Sequence, residues 1–111
     1  MDFTYNFAEV NRKVPMIEFL NSLTVKERAK ISAHIDKLIE LKNLNIPPKE
    51  NLSKYLNEEI FELRVNFKDR IATCFYFYTT DKQIIFNSWF YKERAKDIKN
   101  LSHQGLKFLL V

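Results

Sequence analysis

The pattern of apolar residues changes its period near Asn51, and this change constrains the fold more strongly than any other feature of the sequence. From Pro15 to about Leu44, apolar residues recur every three or four positions, which predicts amphipathic helices. After Asn51, apolar and polar residues alternate, which predicts strands that bury one face. A helical region followed by consecutive strands predicts an α+β fold.

Two helices are predicted before the change of period. Pro15 suits the first turn of the first helix, because its missing N–H would have no intrahelical partner there. Thr24 and Glu27 have the spacing of a capping box and predict the start of the second helix. That helix should end near Leu44, because the two prolines at 47 and 48 cannot continue it. The apolar stripes are Met16, Phe19, Leu20 and Leu23 in the first helix, and Ile31, Ile35, Leu38 and Leu41 or Lys42 in the second.

Four strands are predicted from alternation, one before the helices and three after them. In the first long strand, Phe61, Leu63 and Val65 form the apolar face, so Glu62 and Arg64 point to the opposite side. The four strands are Phe3–Phe7, Ile60–Asn66, Ile71–Tyr78 and Gln83–Phe90.

The end of the chain is expected to add one more helix. It begins near Lys92, and the apolar tail Leu106–Val111 then packs on the body. The predicted order is β-α-α-β-β-β-α, in a single domain over residues 1–111. Because consecutive strands joined by tight turns run antiparallel, we expect an antiparallel sheet with helices packed on one face.

Composition excludes several classes of site. One glycine, Gly105, argues against glycine-rich phosphate or dinucleotide loops. His34, His103 and Cys74 have no familiar zinc-ligand spacing, so we expect neither metal nor cofactor. His34 borders the apolar stripe of the second helix and is interpreted as a helix-flank residue. A lone cysteine, no recognisable secretory signal and no apolar segment of about 20 residues together predict a cytoplasmic protein without a membrane span.

The charge of the chain favours an anionic partner. The formal net charge is +4 and the isoelectric point is about 9.2, which suits nucleic acid but also an ordinary basic surface. If the strands are neighbours, cations from distant positions converge near one edge of the sheet, with tyrosines among them as stacking surfaces. Cations interleaved with aromatic rings suit single-stranded RNA, although solvated strand ends also carry Lys and Arg. The cations are Lys54, Arg64, Lys68, Arg70, Lys92 and Arg94, and the tyrosines are Tyr76, Tyr78 and Tyr91.

Four segments carry a resemblance to a known family. The chain resembles the HigB-like branch of the RelE/ParE toxin superfamily over most of residues 14–100. It departs from that pattern at Glu59, Glu93 and Arg94, where the family usually has glycine, lysine and threonine. The segments are Asn51–Leu56, Ile60–Arg64, Asp69–Ala72 and Phe86–Arg94.

The resemblance implies a toxin of a type II toxin–antitoxin system that cleaves translated mRNA as a ribosome-dependent endoribonuclease. Its partners would be the ribosome, mRNA and a HigA-like antitoxin with a helix-turn-helix domain. Two other functions stay open: a ParE-like toxin that poisons gyrase without nuclease activity, and a basic RNA-binding module without toxicity. The resemblance and the charge pattern together assign catalysis to Arg64, Arg70, Lys92 and Lys54, and RNA binding to Lys68, Tyr76, Tyr78, Tyr91 and Arg94.

For cleavage, a 2′-hydroxyl must be activated, the charge of the phosphorane stabilised and the leaving oxygen protonated. We expect Arg64 and Arg70 to hold the scissile phosphate, because planar guanidinium groups match phosphate oxygens. A lysine would orient the substrate or relay protons. Glu62 and Glu93 are candidate bases, and an ion-pair role is the alternative for both.

Overall fold

The computed structural model describes residues 2–92, in which five strands and two helices form a sheet with a helical layer. The candidate base Glu93, Arg94, the helix predicted from near Lys92 and the packing of the tail Leu106–Val111 therefore lie outside the described residues. In chain order the elements are β1 (Thr4–Phe7), α1 (Pro15–Asn21), α2 (Val25–Asn43), β2 (Ser53–Asn57), β3 (Ile60–Asn66), β4 (Ile71–Tyr78) and β5 (Gln83–Lys92).

Both helices begin where the sequence predicts. Pro15 is the first residue of α1. At α2 the capping box is complete: the Thr24 hydroxyl accepts from the Glu27 N–H at 3.1 Å, and the Glu27 carboxylate accepts from the Thr24 N–H at 3.1 Å. The helix ends with Leu44 as its C-cap, followed by Asn45 at a φ of 60°. Within residues 2–92, neither helix combines the length and apolar character needed to cross a membrane.

The sheet is mixed, with the strand order β1-β5-β4-β3-β2. The β3–β4 and β4–β5 pairs are antiparallel, as expected, and β2 is antiparallel to β3, but β1 runs parallel to β5. The prediction of a purely antiparallel sheet is wrong at this edge, because the two helices carry the chain back across the sheet between β1 and the other strands. The edge strand β2 was not predicted, so the described part has the order β-α-α-β-β-β-β.

The core lies between the helices and one face of the sheet. The predicted apolar face of β3 is confirmed at Leu63 and Val65, both fully buried. Trp89 of β5 stacks on Phe19 of α1, with ring centroids 4.7 Å apart, which anchors α1 on the sheet. The core therefore fixes which face of each strand remains for function. Its buried helix residues are Met16, Phe19, Leu23, Ile31, Ile35 and Leu38, and its buried sheet residues are Leu63, Val65, Ala72, Cys74, Tyr76, Ile84 and Phe86, with Phe67 in the β3–β4 turn.

Candidate functional site

The sheet face opposite the helices carries a row of charged residues from three strands. In the register of the sheet, Lys54 of β2 lies opposite Glu62 of β3, and Arg64 follows two positions later on the same face. Lys92 lies at the end of β5, opposite Ile71 of β4, and alternation places it on this face as well. Three cations from distant positions therefore share one face with one carboxylate.

Glu62 is the centre of this group. The residue is only 2% exposed, and its carboxylate pairs with two cations that arrive from different strands. Lys92 Nζ lies 3.0 Å from Oε2, and Arg64 Nε lies 3.2 Å from Oε1. Because a buried carboxylate is costly unless it is paired, these contacts hold Arg64 and Lys92 in fixed positions. We name these three residues the Glu62 cluster.

The cations of the Glu62 cluster remain partly accessible. The side chain of Arg64 is 36% exposed and that of Lys92 is 20% exposed. Lys54 is exposed on the edge strand beside them. A guanidinium group has five N–H donors in a planar fork, so pairing through Nε leaves Arg64 able to donate to phosphate oxygens. Together with Lys54, the cluster therefore offers a surface with a net positive charge to an anionic ligand.

Arg70 belongs to a different cluster, on the side of the helices. Its guanidinium donates to the Glu27 carboxylate of α2 at 3.0 Å, to Asp69 at 2.7 Å and to the Tyr91 hydroxyl at 3.3 Å. It also lies between two rings, 4.9 Å from the centroid of Phe67 and 4.5 Å from that of Tyr91. The expectation that Arg70 joins Arg64 is wrong, because the end of the β3–β4 hairpin turns Arg70 towards the start of α2.

The pKa shifts of Arg70 and Glu27 indicate that their ion pair stabilises the fold. Burial alone would lower the pKa of Arg70, but its hydrogen bonds to Tyr91, Glu27 and Asp69 together raise that pKa above its ordinary value. The pKa of Glu27 is lowered, first by its hydrogen bond to the Thr24 backbone and then by Arg70. Both charges are thus stabilised by the fold, and the guanidinium is already occupied by protein partners.

The predicted tyrosines also lie on the helix-facing side of the sheet. Tyr76 is fully buried, and its hydroxyl forms a hydrogen bond with Ser53. Tyr78 is partly buried, and Lys42 Nζ lies 4.3 Å from its ring centroid. Tyr91 is engaged with Arg70. None of the three therefore shares a face with Arg64, which corrects their expected grouping, and Tyr76 has no exposed ring for a base to stack on.

Most of the chain matches a known protein family. Residues 18–102 match the model of a family described as "Phage derived protein Gp49-like (DUF891)". The chain belongs to the Gp49-like family. It is a RelE-like family of toxin–antitoxin systems, so an antitoxin is the partner that membership implies. No curated protein matches the chain.

The structure of this Gp49-like chain also shows where three other residues discussed from the sequence lie, namely Lys68, Lys54 and His34. Lys68 is exposed in the β3–β4 turn, and Lys54 lies within β2. His34 keeps the helix-flank position predicted for it, with Nδ1 2.8 Å from the Lys30 carbonyl oxygen. Across residues 2–92, no three His, Cys, Asp or Glu side chains form a group that could hold a metal ion.

One residue of these clusters, Glu27, was not recognised from the sequence as an ion-pair partner. Glu27 was identified only as part of the capping box, and nothing in its spacing indicates a contact with Arg70. Glu62 was considered as a base or an ion-pair partner, and the structure shows the ion pairs. Its burial could not be read from alternation, which places polar residues on an exposed face.

Proposed function

We propose that this Gp49-like protein is the toxin of a type II toxin–antitoxin pair, and that it cleaves mRNA on the ribosome in the manner of the HigB-like branch. Family membership supports the assignment as a toxin. The observation that carries the assignment as a nuclease is the Glu62 cluster, in which Arg64 and Lys92 converge from β3 and β5 on one buried carboxylate. The ribosome, mRNA and a HigA-like antitoxin belong to the same proposal, as does action in the cytoplasm.

In the proposed reaction, the 2′-oxygen of one nucleotide attacks the neighbouring phosphorus and the bond to the 5′-oxygen breaks. The 2′-proton passes to an acceptor, and the 5′-oxygen gains a proton as it leaves. Arg64 binds the non-bridging oxygens, on which negative charge increases during the attack. Lys92 and Lys54 are placed to stabilise the same charge, and either ammonium group can protonate the leaving oxygen.

Glu62 acts in this scheme as a positioning residue. It is almost completely buried and carries two ion pairs, so it aims Arg64 and Lys92 and is not the proton acceptor. Within the described part of the chain, Arg64 pairs with the carboxylate of Glu62. His34 lies on α2, away from the face that carries Arg64. We therefore assign the acceptor of the 2′-proton to the ribosome with its bound RNA, which makes the reaction depend on translation.

The test is a coupled translation reaction to which the purified protein is added. We expect discrete cuts in the translated mRNA, mapped by primer extension, and no cuts in the same mRNA without ribosomes. Intact mRNA together with a block of gyrase supercoiling would replace the proposal with the ParE-like function. Robust cleavage of ribosome-free RNA by a clean preparation would contradict the assigned role of the ribosome.

A further inference from the structure

Thr73 of β4 is a buried polar residue next to the Glu62 cluster. In the register of the sheet it lies opposite Arg64 of β3 on one side and opposite Phe90 of β5 on the other. Directly opposed residues share a face of the sheet, so Thr73 lies on the face that carries Arg64. It is fully buried, although this face is the one away from the helices. Nothing in the proposed cleavage step uses it.

The ion pair between Glu62 and Lys92 lies over Thr73. Glu62 is opposite Phe75 in the register, and Lys92 is opposite Ile71. Because alternate residues of a strand share a face, Thr73 is the residue of β4 that lies between those two positions on this face. Lys92 Nζ and Glu62 Oε2 are 3.0 Å apart, so the pair joins β5 to β3 by crossing β4 at Thr73.

Two buried atoms at this place lack hydrogen bonds. Within the part of the chain that the structure describes, neither Thr73 Oγ1 nor Arg64 Nε has a hydrogen-bond partner. Arg64 Nε lies 3.2 Å from Glu62 Oε1, which is close enough for an ion pair but without the alignment of a hydrogen bond. A buried polar atom without a partner is destabilising and uncommon in folded proteins. Two such atoms on directly opposed residues therefore need a common explanation.

The two atoms are complementary. The Nε–H of arginine can only donate, whereas a threonine hydroxyl can also accept. Directly opposed residues have Cβ atoms about 5 Å apart, so a rotation of the Arg64 side chain away from Glu62 brings Nε within hydrogen-bond reach of Thr73. In the free chain the Glu62 carboxylate attracts the guanidinium. A bound phosphate group supplies a second negative charge and removes that preference.

We propose that Thr73 is a positioning residue, which accepts a hydrogen bond from Arg64 Nε when a phosphate group of RNA binds. The terminal N–H groups of the guanidinium are then free to bind two phosphate oxygens together, while Glu62 keeps its ion pair with Lys92. The inference rests on the proposed function, because it takes RNA as the ligand. It gives Arg64 two positions, one in the free protein and one in the complex.

The first test replaces the hydroxyl of Thr73 with a methyl group of similar shape. We expect Thr73→Val to unfold at an equal or higher urea concentration than the unmodified chain, because a buried polar atom without a partner is removed. Its cleavage of translated mRNA should still fall about tenfold, the scale of one lost hydrogen bond to a charged group. Thr73→Ser keeps the hydroxyl and should retain most of the activity.

Ser88→Ala is the matched control for the loss of a hydroxyl group. Ser88 lies on the same face of the sheet, opposite Phe75 and away from the position opposite Arg64. We expect this variant to cleave mRNA as the unmodified chain does. Equal losses for Ser88→Ala and Thr73→Val would overturn the inference, because the effect would then not depend on the position opposite Arg64.

The second test is a double-mutant cycle with Arg64→Lys, which removes the Nε–H. If Thr73 acts through that group, adding Thr73→Val to Arg64→Lys should lower cleavage by less than about twofold. Binding of a fluorescent 2′-O-methyl RNA hexamer, measured by anisotropy, gives a readout without cleavage, because this RNA has no free 2′-hydroxyl. Thr73→Val should weaken that binding about fivefold in the unmodified background and have little effect in the Arg64→Lys background.

Three results would overturn the inference. The first is full cleavage activity of folded Thr73→Val. The second is a loss in the Arg64→Lys background as large as that in the unmodified one, since Thr73 would then act through another group. The third is unfolding of Thr73→Val at a lower urea concentration, because the hydroxyl would then stabilise the free protein.

The two proposals fail in different ways. If the unmodified chain cuts translated mRNA and Thr73→Val cuts it equally well, the nuclease assignment stands and the role of Thr73 is wrong. If the unmodified chain cuts no mRNA, but Thr73→Val weakens hexamer binding only where Arg64 is present, the role of Thr73 stands and the nuclease assignment is wrong.

Discussion

Arg64 and Arg70 send their guanidinium groups to opposite faces of the sheet. Arg64 pairs with Glu62 on the face away from the helices, whereas Arg70 pairs with Glu27 at the start of α2. The residues between them form the end of β3 and the turn to β4, and this turn changes the side on which the next arginine lies. The two arginines therefore have different surroundings, and we expect the same substitution to affect them differently.

Replacing Arg64 should remove activity while the fold survives. We expect Arg64→Ala to reduce mRNA cleavage at least a hundredfold, the scale of a lost group that stabilises transition-state charge. The free energy of unfolding should fall by only about 1 kcal/mol, because Lys92 still pairs with Glu62. Cleavage in a translation extract and urea unfolding measure the two effects. Arg64→Lys is the control: it keeps the charge without the planar fork and should retain part of the activity. Full activity of Arg64→Ala would remove this residue from the site.

Replacing Arg70 should mainly lower the stability of the folded protein. Arg70→Ala removes two ion pairs, the hydrogen bond to Tyr91 and the contacts with two rings, so we expect a loss of about 2 kcal/mol in the free energy of unfolding. Lys68→Ala, an exposed cation in the same turn, should change stability by less than about 0.5 kcal/mol. Chemical denaturation of both variants measures the difference. An Arg70→Ala protein that is as stable as the unmodified chain and has lost its activity would show a catalytic role instead.

The ion pair between Glu27 and Arg70 should make stability depend on acid pH. The pKa of Glu27 is lower in the folded chain than its ordinary value of 4.5. The stability that the Glu27 carboxylate contributes is therefore complete above pH 4.5, and it is lost as pH falls through the lowered pKa of the folded chain. We expect Glu27→Gln to flatten this part of the stability curve, because Gln keeps the capping box and removes the charge. Thermal unfolding between pH 2 and pH 7 gives the comparison. If the stability of Glu27→Gln and that of the unmodified chain changed with pH at the same slope below pH 4.5, the prediction would be wrong.

Cys74 should be unreactive in the folded protein. It is fully buried in β4, and burial raises the pKa of its thiol to about 12. Because the thiolate is the reactive form, a disulfide reagent at pH 8 should label Cys74 only after denaturation. Absorbance on release of the aromatic thiol follows the reaction, with the same protein in guanidinium as the control. Fast labelling of native protein would mean that β4 opens readily.

Local patterns predicted most of the elements and the antiparallel pairing of β3, β4 and β5, but neither the edge strand β2 nor the pairing of β1. The capping box at Thr24 and the alternation of Leu63 and Val65 depend on neighbours in sequence, and both predictions are confirmed. Strand β2 was missed because, after a buried Ser53, its residues are exposed, so alternation gives no signal at an edge. The parallel pairing of β1 with β5 depends on the path of the whole chain, which no local period records.

The candidate site was predicted in part. Lys54, Arg64 and Lys92 were expected to converge, and they do lie on one face. Arg70 was misplaced because alternation within β3 does not continue through the turn into β4. Tyr76 was misplaced because the helix-facing side of the sheet, where it packs against Phe61 and Phe86, cannot be told from the other side by counting residues.

The pairing of β1 with β5 also determines how late in synthesis the sheet can be completed. Among the described strands, β1 is synthesised before the others, and it takes its neighbour in the sheet from β5, which is synthesised last. Such distant pairing cannot form until β5 has been synthesised, so the fold is completed late. During most of its synthesis, the nascent chain thus lacks the Lys92 side of the Glu62 cluster. The cation pair that the proposed cleavage needs is therefore assembled only after all the described strands have been made.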